Sequence, residues 1–223
     1  MRYYAVCLDL TNRNCLVVGG GAVATRKALT LIDSGARVTV VAPGLSERLQ
    51  RLADKGVITY HRREYRTDDL KNMYLVIGAT NNRELNDKIF RDAERLGRLC
   101  NIADQPKSCN FVLPAVVNRG DLQIAISTSG KSPAFAKKLR KELEKQFGEE
   151  YAVFLRLMGA VRNKLLDGDH NSEAHRAVFE LLIEKGLLET LRARNIEAVN
   201  SILREVLGEE YSYENLMDAG NKP

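Results

Sequence analysis

The chain has 223 residues, of which 44% are hydrophobic and 28% charged, and this globular composition excludes wholesale disorder. No apolar run approaches the roughly 20 residues of a membrane-spanning helix, and the N-terminal segment lacks the apolar core of a signal peptide, so we expect a soluble cytoplasmic protein without membrane partners. The net charge of +5 indicates an anionic partner, and because no nucleic-acid recognition motif accompanies the basic residues, we expect a small polyanion rather than nucleic acid.

The first half of the chain alternates short apolar runs with helical patterns. This alternation predicts an α/β domain of the Rossmann type, in which a parallel sheet is covered by helices on both faces. The cleft at the carboxyl ends of the strands is then the expected ligand site. The predicted strands are residues 15–18, 37–41, 57–60, 73–78 and 99–102, and the predicted helices are residues 23–32, 45–55 and 83–96.

The pattern changes after residue 110. Residues 111–117 and 122–127 read as two strands joined by a tight turn, and a basic helix is predicted from residue 134 to about residue 147. The remainder is helical, with breaks near Gly168 and Gly186, and we expect the last dozen residues to fray. We therefore predict a dinucleotide-binding domain at 1–112, a small α+β region at 113–148 and a helical domain at 149–223.

A glycine-rich turn, Gly19-Gly20-Gly21-Ala22-Val23-Ala24, follows the first predicted strand and opens the first predicted helix. In a GxGxxA pattern, Gly19 permits the tight turn, Gly21 lets the backbone approach a pyrophosphate, and Ala24 allows close packing of helix on strand. The unpaired N–H groups at the start of the helix, around Ala22 and Val23, favour phosphate binding. The alternative is a purely structural glycine turn.

The second strand does not end on the acidic residue that commonly binds the adenosine ribose. It ends Val40-Val41-Ala42-Pro43, with no Asp or Glu for the 2′-OH and no arginine for a 2′-phosphate, since Arg48 lies on the following helix. The choice between NAD and NADP stays open from the motif alone. Pro43 and Gly44 are expected beneath the adenosine.

Two polar residues follow the later strands of the predicted sheet. Asp104 follows the last strand, on the nicotinamide side of the cleft, where a carboxylate suits general acid or base chemistry. It is equally well explained as a turn residue before a proline-containing bend. Thr80, which follows the strand at 73–78, completes the predicted cofactor site.

A polar loop precedes the basic helix. Thr128, Ser129 and Lys131 provide hydroxyls and a cation that could bind carboxylates, while Ser132 and Pro133 are typical of a helix start. The alternative is an ordinary capped loop. Four cysteines without CxxC spacing and three scattered histidines predict no metal site, and the four thiols, Cys7, Cys15, Cys100 and Cys109, are expected to be buried structural groups.

Five sequence blocks follow one another along the first two thirds of the chain. They are VVGGGAVATRKA, VTVVAP, VIGATNN, LCNIADQPKSCNFVLPA and ISTSGKSPAFAKKLRKELE. With these blocks in this order, residues 4–150 resemble the precorrin-2 dehydrogenase family, and the helical remainder resembles it only loosely. That family includes stand-alone enzymes and the N-terminal half of multifunctional sirohaem synthases.

The resemblance implies a homodimer, with residues 113–148 as its dimerisation region. It also implies that the enzyme uses NAD to oxidise precorrin-2 to sirohydrochlorin, a step of sirohaem biosynthesis. It implies that Asp104 is the catalytic residue and that Ala22, Val23, Pro43 and Gly44 contact the dinucleotide. Thr128 stands where many members have a serine near the substrate. A polycarboxylate tetrapyrrole as substrate would also explain the basic charge.

Two other functions are compatible with the sequence. One is a bifunctional enzyme that also inserts ferrous iron, for which transient metal handling requires no standing metal site. The other is a dinucleotide-sensing regulatory protein, which would need neither a catalytic acid at Asp104 nor the serine-rich loop.

Overall fold

The structure, a computed structural model, describes residues 3–105, 107–166 and 172–219. The chain divides into two compact units, Met1–Leu113 and Pro114–Pro223. Within the described ranges, no helix is long and apolar enough to cross a membrane.

The first unit contains five parallel strands in the order β3-β2-β1-β4-β5, with a 3-10 turn at Thr67–Leu70. This arrangement confirms the predicted Rossmann-type sheet. The order reverses between β1 and β4, so the first unit has the switch point at which open α/β sheets bind ligands. The elements are β1 Asn14–Val18, α1 Ala22–Asp33, β2 Arg37–Ala42, α2 Glu47–Asp54, β3 Thr59–Arg62, β4 Leu75–Gly78, α3 Arg83–Arg95 and β5 Leu99–Ile102.

The central strand β1 is buried on both faces, which explains why its sequence is an uninterrupted apolar run. Cys15 and Val17 pack on the side of α1 and α2, whereas Leu16 and Val18 pack on the side of α3. Helix α1 contributes Ala24, Ala28 and Leu31 to the first layer, and α3 contributes Ile89 and Ala93 to the second. The sheet is therefore a rigid base for the loops that leave its carboxyl edge.

The edge strand β3 lies two residues later than predicted. Gly56, with φ +69°, turns the chain out of α2, and the N–H of Val57 bonds the Leu52 carbonyl at 2.9 Å, so Val57 closes the helix instead of joining the sheet. Its side chain is 45% exposed. Pairing begins at Thr59, opposite Thr39. The prediction was wrong because this edge strand is mostly polar and the apolar pair before it is not part of it.

The second unit begins with an antiparallel hairpin and continues as helices. Gly120, with φ +58°, takes the first position of a two-residue turn, since Arg119 pairs with Leu122. Strand β6 starts later than predicted, at Ala115 and after Pro114, because Phe111 instead packs against the core of the first unit. The elements are β6 Ala115–Arg119, β7 Leu122–Ile126, α4 Pro133–Gln146, α5 Glu150–Leu166, α6 Ser172–Glu184, α7 Leu187–Arg192, α8 Ile196–Leu207 and α9 Tyr213–Ala219.

Helices α5 to α9 surround a core of their own. Leu157, Leu182 and Leu203 are completely buried there. The expectation that the last dozen residues fray was wrong for their described part, because α9 inserts Leu216 into this core. The predicted break at Gly186 is present, with φ +76° before α7, whereas Gly168 lies outside the described residues.

Candidate active site

The carboxyl ends of four strands meet at one edge of the first unit. Val18, Val41 and Gly78 are in register, and Gly78 is in register with Ile102. The loops that follow, together with the first turn of α1, carry all of the predicted cofactor residues and Asp104. Since neighbouring strands lie about 4.8 Å apart, a ligand the size of a dinucleotide can contact all of these loops together.

Two of the three consecutive glycines are required by packing within the protein. Gly19 has φ +124°, and a Cβ on it would collide with the backbone carbonyl of Ala79 in the loop after β4. A Cβ on Gly20 would collide with the carbonyl oxygen of Gly44 in the loop after β2. Sequence reasoning assigned no role to Gly20, since GxGxxA leaves that position free, and only the close approach of the neighbouring loop reveals it.

Gly21 differs from both, because a Cβ built on it meets no atom within 4 Å. Its φ of −83° is available to any residue, so neither strain nor internal packing requires glycine here. Gly21 is the N-cap of α1, and no side chain caps the N–H groups of the first turn. The first turn also carries no acidic residue. The backbone therefore presents free N–H groups beside open space, as a pyrophosphate requires.

The three residues after Gly21 divide between the open side and the core. Ala22 is exposed and Val23 half-buried, so both border the open space. Ala24 is completely buried and packs against the sheet. The N–H groups of all three precede the first intrahelical bond, which runs from the Thr25 N–H to the Gly21 carbonyl at 2.9 Å. These residues fit a bound dinucleotide phosphate.

The loop after β2 is bonded to the glycine turn. The Gly19 N–H bonds the Val41 carbonyl at 2.9 Å, and the Ser46 N–H bonds the Gly20 carbonyl at 2.8 Å. Between these bonds, Pro43 and Gly44 are exposed, and a Cβ on Gly44 would meet nothing within 4 Å. The loop thus presents a proline ring and the bare backbone of a glycine, which leave room for an adenosine.

The Thr80 hydroxyl forms hydrogen bonds within its own loop and to the start of α3. It donates to Asn86 Oδ1 at 2.8 Å and accepts the Asn82 N–H at 3.2 Å, while Asn86 Nδ2 donates to the Thr80 carbonyl at 2.9 Å. The buried Asn86 was not predicted, although an amide among the apolar positions of α3 is a visible signal. A cofactor contact by Thr80 stays a prediction, and its hydroxyl has an established internal role.

Asp104 lies on an exposed turn directly after β5. Its φ is +59°, a left-handed conformation that Asp and Asn tolerate better than other non-glycine residues. The turn is closed by a bond from the Gln105 N–H to the Ile102 carbonyl at 3.3 Å. No described residue forms a hydrogen bond or ion pair with the Asp104 carboxylate, so this group is available to a ligand and is also a turn residue.

Lys27 interacts electrostatically with Asp104. Burial lowers the pKa of the Lys27 ammonium and the charge of Arg26 lowers it further, whereas the negative charges of Asp104 and Cys109 act to raise it. Lys27 is half-buried on α1. Sequence reasoning missed it because nothing in the helical pattern distinguishes this lysine from its neighbours.

The segment that carries Asp104 is held to β5 by side chains. Cys109 Sγ accepts the Ile102 N–H at 3.2 Å, Asn110 Oδ1 accepts the Cys100 N–H at 2.7 Å, and Asn101 Nδ2 donates to the Phe111 carbonyl at 3.1 Å. These bonds fix the base of the turn while leaving its tip exposed. The position of Asp104 is therefore determined by the sheet.

The thiols are buried in only two of four cases. Burial raises the pKa of Cys15 to about 11 and that of Cys100 to about 12, so both stay neutral near pH 7. Cys109 is half-buried. Cys7 is exposed, and the expectation that all four thiols are buried was therefore wrong.

The predicted substrate residues lie in the second unit, in the loop between β7 and α4. Thr128 Oγ1 accepts the Ser132 N–H at 3.2 Å, and Ser132 Oγ caps α4 by accepting the Phe135 N–H at 3.2 Å. Ser129, with φ +53°, and Lys131 are exposed. Lys131 forms no ion pair with any described residue, so the loop combines an ordinary helix cap with an available cation.

Comparison with protein families places two models on this chain. A family described as NAD(P)-binding matches residues 6–115, and the family of the central part of sirohaem biosynthesis proteins matches residues 119–146. The first match spans the whole parallel sheet and its loops, and the second spans most of the hairpin and α4.

Individual relatives extend the similarity to almost the whole chain. The sirohaem synthase of Nitrosococcus oceani is 35% identical over 207 residues, and that of Actinobacillus succinogenes is 33% identical over 222 residues. These alignments cover 93% and 99% of this chain but 44% and 47% of the relatives, so the chain spans about half the length of the curated relatives that it matches.

A solved structure has the same fold from end to end. The protein titled "SirC, precorrin-2 dehydrogenase" is 28% identical, with a TM-score of 0.77, and the match covers 94% of this chain and 100% of that one. The comparisons confirm the resemblance to the precorrin-2 dehydrogenase family.

Proposed function

We propose that this chain, as a member of the precorrin-2 dehydrogenase family, uses NAD to oxidise precorrin-2 to sirohydrochlorin. The observation that carries the proposal is the glycine turn, where neither backbone strain nor internal packing requires glycine at position 21. The open space beside the free N–H groups of this helix start fits a bound phosphate. The N–H groups of Ala22 and Val23 then hold the pyrophosphate, and Pro43 and Gly44 lie under the adenosine.

The reaction needs a hydride acceptor and a proton acceptor. NAD, when bound, supplies the site that accepts the hydride from the macrocycle. Oxidation removes a hydride and a proton from different atoms of precorrin-2, and Asp104 accepts or relays the proton. The free, exposed carboxylate of Asp104 suits this role, because no internal partner has to be displaced first.

The polycarboxylate substrate requires cations and donors around it. In the first unit, Lys27 is the cation whose field reaches Asp104. In the second unit, we propose Thr128, Ser129 and Lys131 as the residues that bind substrate carboxylates. The protein's own contribution is then alignment and charge compensation, since the cofactor performs the redox chemistry.

We also propose that the chain acts as a homodimer in the cytoplasm. The β6–β7 hairpin pairs with no other described strand, so the backbone groups on its outer edges are open to pairing with a further strand. Val116 on β6 is exposed. A second copy that adds its own hairpin would extend the sheet and cover this surface.

A matched pair of variants tests the proposal. We expect Asp104→Asn to lower turnover about 10²- to 10⁴-fold, the usual contribution of a general base, and to leave NAD affinity unchanged. Asp121→Asn, at an exposed position of the hairpin turn, removes the same charge and is expected to retain wild-type turnover. Wild-type turnover in Asp104→Asn would refute the role of this residue.

The same preparations separate the alternative functions. A protein that binds NAD but forms no sirohydrochlorin would be a dinucleotide sensor, and the proposal would be refuted. Sirohaem formed from sirohydrochlorin and ferrous iron would add a second activity. If Asp104→Asn abolished both activities, one site would serve both reactions.

A further inference from the structure

A groove in the first unit runs along the outer side of α1. Its volume is about 460 Å³, which easily admits a phosphate group. Ala22, Thr25 and Arg26 line it from α1, and Ser46 and Arg48 line it from the start of α2. None of these residues except Ala22 is used by the proposed reaction.

The groove is continuous with the proposed cofactor site. Ala22, at one end, directly follows the open position at Gly21, and the Ser46 N–H bonds the Gly20 carbonyl at 2.8 Å. The groove also borders the loop after β2, which reads the adenosine ribose in Rossmann domains. A dinucleotide that occupies the glycine turn would therefore place its ribose beside the groove.

The groove offers two cations without carboxylate partners. Arg26 and Arg48 are exposed, and neither guanidinium forms an ion pair among the described residues. Asp33 also lines the groove, but it lies seven residues beyond Arg26, or about 10 Å along the helix at 1.5 Å per residue. The end near Ala22 is thus positively charged.

The hydroxyl groups of the groove are already engaged, so the guanidinium groups are its available donors. Thr25 Oγ1 donates to the Gly21 carbonyl at 2.9 Å and lies 2.8 Å from Ser46 Oγ. Ser46 Oγ in turn accepts the Leu49 N–H at 3.4 Å. Guanidinium groups bind phosphate oxygens in a bidentate manner.

The loop after β2 lacks the group that would repel a phosphate on the ribose. An acidic residue at this place favours NAD because it binds the 2′-OH. Here the positions are Pro43 and Gly44, and the next acid along the chain, Glu47, is paired with Arg51 at 3.6 Å. The loop therefore imposes no electrostatic penalty on a 2′-phosphate.

We infer that Arg26 and Arg48 form a subsite for the 2′-phosphate of the adenosine ribose, so that the chain binds NADP as well as NAD. The sequence motif alone does not indicate Arg48 as a ligand of the 2′-phosphate, because this residue lies on the helix after β2. The structure places it at the same groove as Arg26. The inference rests on the proposed function only in that the same glycine turn holds the dinucleotide.

Fragments of the two cofactors give the sharpest test. We expect the full chain to bind adenosine 2′,5′-bisphosphate at least tenfold more tightly than 5′-AMP, by isothermal titration calorimetry at low salt. Arg48→Gln and Arg26→Gln should each reduce this ratio severalfold without changing 5′-AMP affinity. Arg91→Gln, at an exposed position of α3 on the other face of the sheet, is the matched control and should retain the wild-type ratio.

Each outcome bears on one proposal. The 2′-phosphate subsite would be overturned if the wild-type chain bound both fragments with equal affinity. It would also be overturned if the ratio of the two affinities were unchanged in both Arg48→Gln and Arg26→Gln. Neither result would affect the proposed NAD-dependent oxidation. Inorganic phosphate should weaken binding of the bisphosphate more than binding of 5′-AMP, because it competes for the arginine subsite as well as for the glycine turn. Equal competition against both fragments would overturn the inference. Failure of NAD itself to bind would instead refute the proposed function.

Discussion

Replacing Gly21 with alanine separates cofactor binding from folding. A Cβ at this position meets open space, and the φ of −83° and ψ of −170° are accessible to alanine. The change stiffens the unfolded chain, which stabilises by about 0.4–1 kcal/mol, and it replaces an acceptable N-cap with a poor one, which costs a similar amount. We expect the free energy of unfolding to stay within about 1 kcal/mol of wild type.

The same methyl group projects into the space assigned to the pyrophosphate. If it displaces the phosphate from one or two N–H groups of α1, the lost hydrogen bonds to a charged partner are worth about 1.5–3 kcal/mol each. We therefore expect NAD affinity to fall at least tenfold and up to several hundredfold, since about 1.4 kcal/mol corresponds to a factor of ten.

Gly20→Ala is the contrasting variant. Its Cβ would overlap the Gly44 carbonyl, so the loop after β2 has to move, and overpacking of this kind costs about 1–3 kcal/mol. Urea unfolding and calorimetric NAD titration of both variants provide the comparison. Normal NAD affinity in Gly21→Ala, or a loss of stability equal to that of Gly20→Ala, would refute the assignment of the open position to a ligand.

Three further predictions concern stability. Asp104→Ala should be about 1 kcal/mol less stable than Asp104→Asn, because alanine tolerates φ +59° less well, as measured by urea unfolding. Between pH 9 and about 12, the Cys100 thiol ionises in the unfolded chain but not in the folded one. This thiol should therefore lower the free energy of unfolding by about 1.4 kcal/mol for each pH unit of increase. Cys100→Ala should lose this part of the slope. Burial acts to raise the pKa of Asp92, but hydrogen bonds from Lys88 and Tyr65 hold it below 3.8. Asp92→Asn should therefore lower the free energy of unfolding at pH 7. The difference in this free energy between variant and wild type should vanish as the pH falls through the lowered pKa.

Each of these has a contradicting result. Equal stability of the two Asp104 variants would remove the argument from backbone conformation. An alkaline slope unchanged in Cys100→Ala would mean that this thiol does not control it, and an Asp92→Asn deficit that persists at the lowest pH would point to lost packing rather than charge.

The sheet and its glycine turn could be predicted from the sequence because burial on both faces leaves a pattern in the chain itself. Strand β1 is an apolar run, and β5 was predicted with both ends correct. Edge strand β3 has no such pattern, because most of its residues are exposed. The apolar Val57 led to a predicted start two residues before the observed one.

Site residues could be predicted from the sequence only where they belong to one short segment of the chain. The spacing of Gly19, Gly21 and Ala24 belongs to a single turn, so the motif was visible. The roles of Gly20 and Arg48 depend on the approach of the loop after β2, and that of Lys27 depends on how α1 faces the segment after β5. Contacts between segments distant in sequence leave no local pattern, and the structure was needed to find them.

The most direct test of the central claim is the absorbance spectrum of precorrin-2 mixed with the full chain, recorded over time with and without NAD. Sirohydrochlorin should form only when the dinucleotide is present, with one NADH for each product molecule. Product formation at the same rate without any dinucleotide, or NAD binding without product, would contradict the proposed dehydrogenase activity.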